Sequence, residues 1–118
     1  MAFKFIIIAP RESFSHFEPE GRLRFGNVCY HKDLLGTGNY VFGGGDFMID
    51  DETMTVKLSG NSGDFGYPQL DGEMWDWKKL YVDEEWSEDG GYKFIYQDPY
   101  YNNGKAIDLT PLIEYKDE

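Results

Sequence analysis

A chain of 118 residues with 41% hydrophobic and 18% aromatic residues has the length of one domain and the apolar content for one modest core. Its net charge of −11 argues against binding nucleic acid or an anionic membrane, since both need clustered Lys and Arg. It leaves two readings, simple solubility or a basic partner. Cys29 is the only cysteine, so no intrachain disulfide forms, which fits a reducing compartment. The apolar run Phe5 to Ala9 is too short for a signal-peptide core or a bilayer span, and the chain reads as a soluble cytoplasmic protein.

The first element expected is a buried strand, Phe3 to Ala9, with three consecutive isoleucines and Pro10 as its stop. Residues 11 to 21 are polar, contain Pro19 and read as a loop. Arg22 to His31 reads as a second strand, bent at Gly26. Leu34-Leu35 and the turn Gly36-Thr37-Gly38 follow, then a short strand from Asn39 to Phe42 that runs into Gly43-Gly44-Gly45. Phe47 to Asp50 and Thr53 to Leu58 alternate as the arms of a hairpin around Asp50-Asp51-Glu52. Ser59 to Pro68 is a glycine-rich loop. Leu70, Met74, Trp77 and Tyr81 recur at helical spacing, with Asp71 placed to cap. Tyr92 to Gln97 reads as a strand, and Thr110-Pro111 as the cap and first residue of a short C-terminal helix. The sum is a single domain over residues 1–118 of α/β or α+β class, a small mixed sheet flanked by one or two helices.

The chain contains no GxSxG, P-loop, HExxH or CxxC pattern. Two histidines and one cysteine do not make a structural zinc site of the usual kind, and no metal or cofactor is expected. The acidic run Asp46 to Glu52 lacks EF-hand ligand spacing and reads as a solvated turn. Gly43-Gly44-Gly45 fits a bulge or a close backbone approach. The loop from Ser59 to Gly66 could turn successive amides inward as an anion-binding nest, with a serine hydroxyl as a further donor.

These features, in this order, resemble the janus family, which includes the protein phosphohistidine phosphatases. Phe3-Lys4 before aliphatics is similar to the family's first strand. Tyr30-His31 with Asp33 and Leu34 resembles its Tyr-His-Ala-Asp-Ile, Gly43-Gly44-Gly45 its triple glycine, and Ser62, Phe65 and Gly66 its Ser-Met-Ala-Tyr-Gly. The resemblance covers Phe3 to about Tyr81, and more loosely reaches Tyr92. It implies a metal-independent hydrolase acting on a phosphoprotein or a small phosphorylated substrate. In it His31 is the general base, Lys4 lies at the phosphoryl group, and Ser62, Gly63, Asp64 and Gly66 bind phosphate through the loop.

Two departures weaken that activity. Asp46 follows the triple glycine where the family has arginine, and Gly63-Asp64 replaces Met-Ala. A like-charge pair at 4 Å costs on the order of 4 kcal/mol at an effective dielectric of about 20, which Arg22 or Arg24 would offset in part. A histidine suits proton transfer at neutral pH, yet a lone histidine on a strand is ordinarily a polar surface residue. Cys29, two residues earlier, would share a face with His31 in a regular strand. The alternative is a non-catalytic acidic protein, immunity- or inhibitor-like, that neutralises a basic protein partner through Asp46 to Glu52 and Asp83 to Asp89. An enzyme gathers Lys4, His31 and Ser62 round one concavity; a binding protein does not.

Overall fold

The computed structural model describes residues 2–10, 21–60, 79–82, 91–97 and 104–115. They form one mixed eight-stranded sheet. The strands are β1 (Ala2–Pro10), β2 (Gly21–Val28), β3 (Asn39–Asp50), β4 (Thr55–Gly60), β5 (Leu80–Val82), β6 (Lys93–Tyr96), β7 (Ile107–Asp108) and β8 (Ile113–Tyr115). Their order across the sheet is β7-β6-β4-β3-β1-β2-β5-β8.

β1 sits in the middle, antiparallel to β2 on one side and β3 on the other. A continuous apolar run has no solvent-facing side to offer, and Ile6, Ile7 and Ile8 are at most 1% exposed. Alternation sends Phe5 and Ile7 to one face, where they join Leu23, Val56, Phe94 and Leu109 in the main core. Ile6 and Ile8 point to the other face and pack under Leu34.

The sheet is curled, and the connection from β7 to β8 shows why it must be. Those strands are opposite edges. Laid flat, seven interstrand spacings would separate them by about 34 Å. Asp108 and Ile113 are joined by five peptide links, which reach at most about 18 Å. The strands therefore wrap into a half-barrel, with the main core on the concave side. Buried Leu109 fills the closure, its N–H donating to the Phe94 carbonyl, while Phe94 N–H donates to Thr110 Oγ1.

Several expectations change. Among the described residues there is no α-helix, only two short 3-10 turns, His31–Leu34 and Thr110–Leu112; the sheet carries this part of the fold without the flanking helices of an α/β or α+β layer. Of the helix expected over Leu70 to Tyr81, residues 70–78 lie outside the described residues, and Tyr81 is the middle of β5. Its pairing with both β2 and β8 overrides the helical spacing. At the C-terminus Leu109, rather than Thr110, is the cap, and the turn stops after Leu112 because Ile113 is recruited into β8. β2 ends at Val28, three residues before His31. Asn39 to Phe42 is continuous with the hairpin arm as one twelve-residue strand. That continuity needs a bulge: Ile6 pairs with Gly44 but Ile8 with Val41. The extra residue is taken up next to Gly43, whose φ of 110° is open only to glycine at low cost.

Candidate functional site

β2 and β3 lie on either side of β1 and run the same way, so the chain between them must cross the sheet. The 3-10 turn His31–Leu34 makes that crossing over the convex face. Arg24 fixes it there: its Nη1 donates to the carbonyls of Leu34 and Leu35 at 2.9 and 3.0 Å. Arg24 is thus a structural staple, a role that its place in a strand did not reveal. Asp33 closes the turn by accepting from the Tyr30 N–H at 3.1 Å.

The crossing separates His31 from Cys29. Cys29 is exposed, whereas His31 is 4% exposed. The shared face expected of a regular strand is lost because His31 has already left β2. The imidazole lies over the triple glycine. Its Nε2 is 2.8 Å from the Gly45 carbonyl oxygen. A carbonyl only accepts, so Nε2 carries the proton and donates, leaving Nδ1 as the basic nitrogen of the neutral ring. Gly44 makes room: a Cβ there would stand 3.2 Å from His31 Cδ2 and 2.7 Å from the Phe5 carbonyl oxygen. The glycines in this stretch thus serve a bulge and a close approach of side chain to backbone.

Lys4 lies on the same convex face. Directly opposite residues of an antiparallel pair share a face, and Lys4 pairs with Asp46 while Ile6 pairs with Gly44. Lys4 Nζ is 3.8 Å from Asp46 Oδ1. The lysine expected at a phosphoryl group thus already faces a carboxylate. Asp46 also borders a depression of about 340 Å³ over β3, β4 and β6, whose wall includes Met48, Lys57, Ser59, Ile95 and Gln97. Ser62, Gly63, Asp64 and Gly66 lie outside the described residues. The structure brings Lys4, Asp46 and His31 to one face. No group of three or more His, Cys, Asp or Glu among the described residues is placed to hold a metal ion.

The second region with chemistry is the β3–β4 hairpin. Asp50 Oδ1 accepts from the N–H groups of Glu52 and Thr53 at 3.0 and 3.3 Å. The Thr53 backbone bond is the largest of several effects holding the Asp50 carboxyl below the ordinary carboxylate value. Tyr92 Oη donates to Asp51 Oδ1 at 2.7 Å, a bond that raises the Tyr92 phenol above its usual range. Lys93 N–H donates to the Met54 carbonyl at 2.9 Å. The entry into β6 is thereby fastened to the acidic turn.

Compared with known proteins, the chain matches no family model, no curated sequence and no solved structure.

Proposed function

We propose that this protein is a non-catalytic acidic binding module that neutralises a basic protein partner. The observation that carries this reading is the fastening of Tyr92 to Asp51 and of Lys93 to Met54. It anchors the entry of β6 beside the turn Asp50-Asp51-Glu52. The chain that leads to that entry reads Asp83-Glu84-Glu85, then Glu88-Asp89, with no base among these residues. In sequence, a second acidic stretch thus ends three residues before Tyr92, the residue that bonds the first. Clustered charge of one sign steers an oppositely charged partner. The buried His31, spent on the Gly45 carbonyl, supports a structural histidine rather than a base facing water.

One observation favours a second reading. Lys4, Asp46 and His31 share the convex face, as a site of the janus phosphohistidine-phosphatase type would need. There, Nδ1 of His31 would activate water and Lys4 would hold the phosphoryl group, with Asp46 lowering its affinity.

Two assays separate the readings. Titration with an oligolysine peptide at about 50 mM salt should give saturable binding that weakens at least tenfold by about 300 mM, as screening shortens the reach of the charges. Amide replacement of the five carboxylates at Asp83 to Asp89 should weaken it further. Hydrolysis of phosphohistidine that His31→Ala abolishes would instead establish the enzyme, and failure to bind oligolysine at low salt removes the binding module.

A further inference from the structure

The depression beside Asp46 is laid out by strand register. Asp46 lies opposite Ser59, and Met48 opposite Lys57. Lys57 in turn lies beside Ile95. One step further along this parallel pair Gln97 stands beside Ser59, its backbone N–H donating to the Leu58 carbonyl at 2.9 Å. Neighbours across strands share a face, as does every second residue along a strand. Asp46, Ser59 and Gln97 therefore form one rung on the convex face, and Met48, Lys57 and Ile95 form the next.

The first rung is a row of oxygen acceptors. The Asp46 side chain is 44% exposed and meets Lys4 only at 3.8 Å, the long end of an ion pair. The Gln97 amide nitrogen donates to the Gly104 carbonyl at 2.8 Å, so its amide oxygen is left to accept. The Ser59 hydroxyl, between them, is a third acceptor. The second rung is apolar at both ends, Met48 and Ile95, with the Lys57 stem in the middle. The Lys57 ammonium lies 3.7 Å from Asp50. Asp50 is on the far side of Met48 from Asp46, so that charge is turned away from the acceptor row. A hollow of about 340 Å³ lies over the two rungs.

Acceptors in a row beside an apolar wall suit one side chain above others. Arginine presents five N–H donors in a planar fork at the end of an apolar stem, whereas the lysine ammonium is a compact point charge. We propose that this hollow receives an arginine side chain of the basic partner. The guanidinium sits over Ser59 and donates to Asp46 on one side and to the Gln97 amide oxygen on the other. The stem lies along Met48 and Ile95. The proposal rests on the binding-module reading and adds to it a requirement for arginine, beyond positive charge, at one point of the contact.

The test uses the full chain and three synthetic peptides of equal length and net charge, in which glycine alternates with Lys, with Arg or with dimethylated Arg. They are titrated by calorimetry at about 50 mM salt. The Arg peptide should bind about tenfold more tightly than the Lys peptide, the effect of a charge-assisted fork. Dimethylated Arg keeps the charge but blocks the fork, and should fall back to the Lys level. Asp46→Asn should bring the Arg peptide down to the Lys peptide. Ser59→Lys, which places a cation in the hollow itself, should do the same at an independent, exposed position. Glu52→Gln, in the turn, should weaken both peptides alike and leave their ratio unchanged. Equal affinity for Arg and Lys peptides overturns the arginine receptor and leaves the charge-based reading standing. So does an Arg preference that both Asp46→Asn and Ser59→Lys leave intact. Binding of no peptide overturns both readings.

Discussion

The two halves of β3 reverse the usual relation between size and burial. The half beside β1 ends in Gly43, Gly44 and Gly45, all buried. The half beyond Asp46 exposes Met48 and Ile49. Hydropathy alone would place these the other way round. The difference lies in what sits over each half. The inner half is roofed by the 3-10 turn and the His31 ring, so any side chain there would occupy space already filled. At the outer half no such roof is present among the described residues, and Met48 and Ile49 stand in water.

The largest effect should come from breaking the inner half. Gly44→Val puts branched carbon where even a Cβ stands 2.7 Å from a backbone oxygen and 3.1 Å from Ile6 Cγ2. Overpacking of this kind costs about 3 kcal/mol or more, a large share of a small domain's stability, and urea denaturation should read it as a lowered midpoint. His31→Ala should cost about 2 kcal/mol, from the lost packing of a buried ring and the Gly45 carbonyl left without its donor. Adding His31→Ala to Gly44→Val should restore only part of the loss, since the Phe5 carbonyl still blocks the space. Full restoration would mean that the ring alone dictates the glycine.

At the outer half the sign reverses. Met54→Gly should stabilise by about 1 kcal/mol, the cost of a left-handed φ of 52° at Met54 less the extra unfolded-state freedom of glycine. For a domain of this size that corresponds to a Tm gain of about 4 °C. A loss of Tm would show that the Met54 side chain packs within the fold.

How much of this was legible in the sequence follows from the range of the forces involved. The β1 strand and the β3–β4 hairpin declared themselves through a local apolar run and local alternation, but Thr53 and Met54, read as the start of the second arm, belong to the turn, and β4 begins at Thr55 opposite Asp50. The fate of His31 was not legible. It depends on a bulge at Gly43, on the crossing of the sheet and on Arg24 reaching the Leu34 and Leu35 carbonyls, three long-range facts with no local signature. Tyr81 failed in the opposite way: a helical spacing was present, but strand pairing on both sides outweighed it. Met54 carried no signal at all, since positive φ is inferred from glycine or asparagine and here neither marks it.

The smallest expected effect tests the same comparison by pH. Asp50 holds the outer turn as a carboxylate accepting the Thr53 and Glu52 N–H groups, which places its native pKa below the ordinary value of 3.8. A group whose pKa is depressed on folding stabilises the fold fully above its unfolded value, and that stabilisation disappears as the pH falls through the native value. Asp108 behaves alike, its pKa lowered chiefly by its side-chain bond with Thr110. The inner half of β3 has no such dependence on the Gly43 to Gly45 backbone, which is held by strand pairing. Hydrogen exchange followed from pH 7 to about pH 3 should therefore show amides of the hairpin turn losing protection before those of Gly44 and Gly45. Asp50→Asn should reproduce the loosened turn at neutral pH and remove its acid step. If both halves open together at every pH, β3 unfolds as one unit, and the independence of the tip from the roofed half is lost with it.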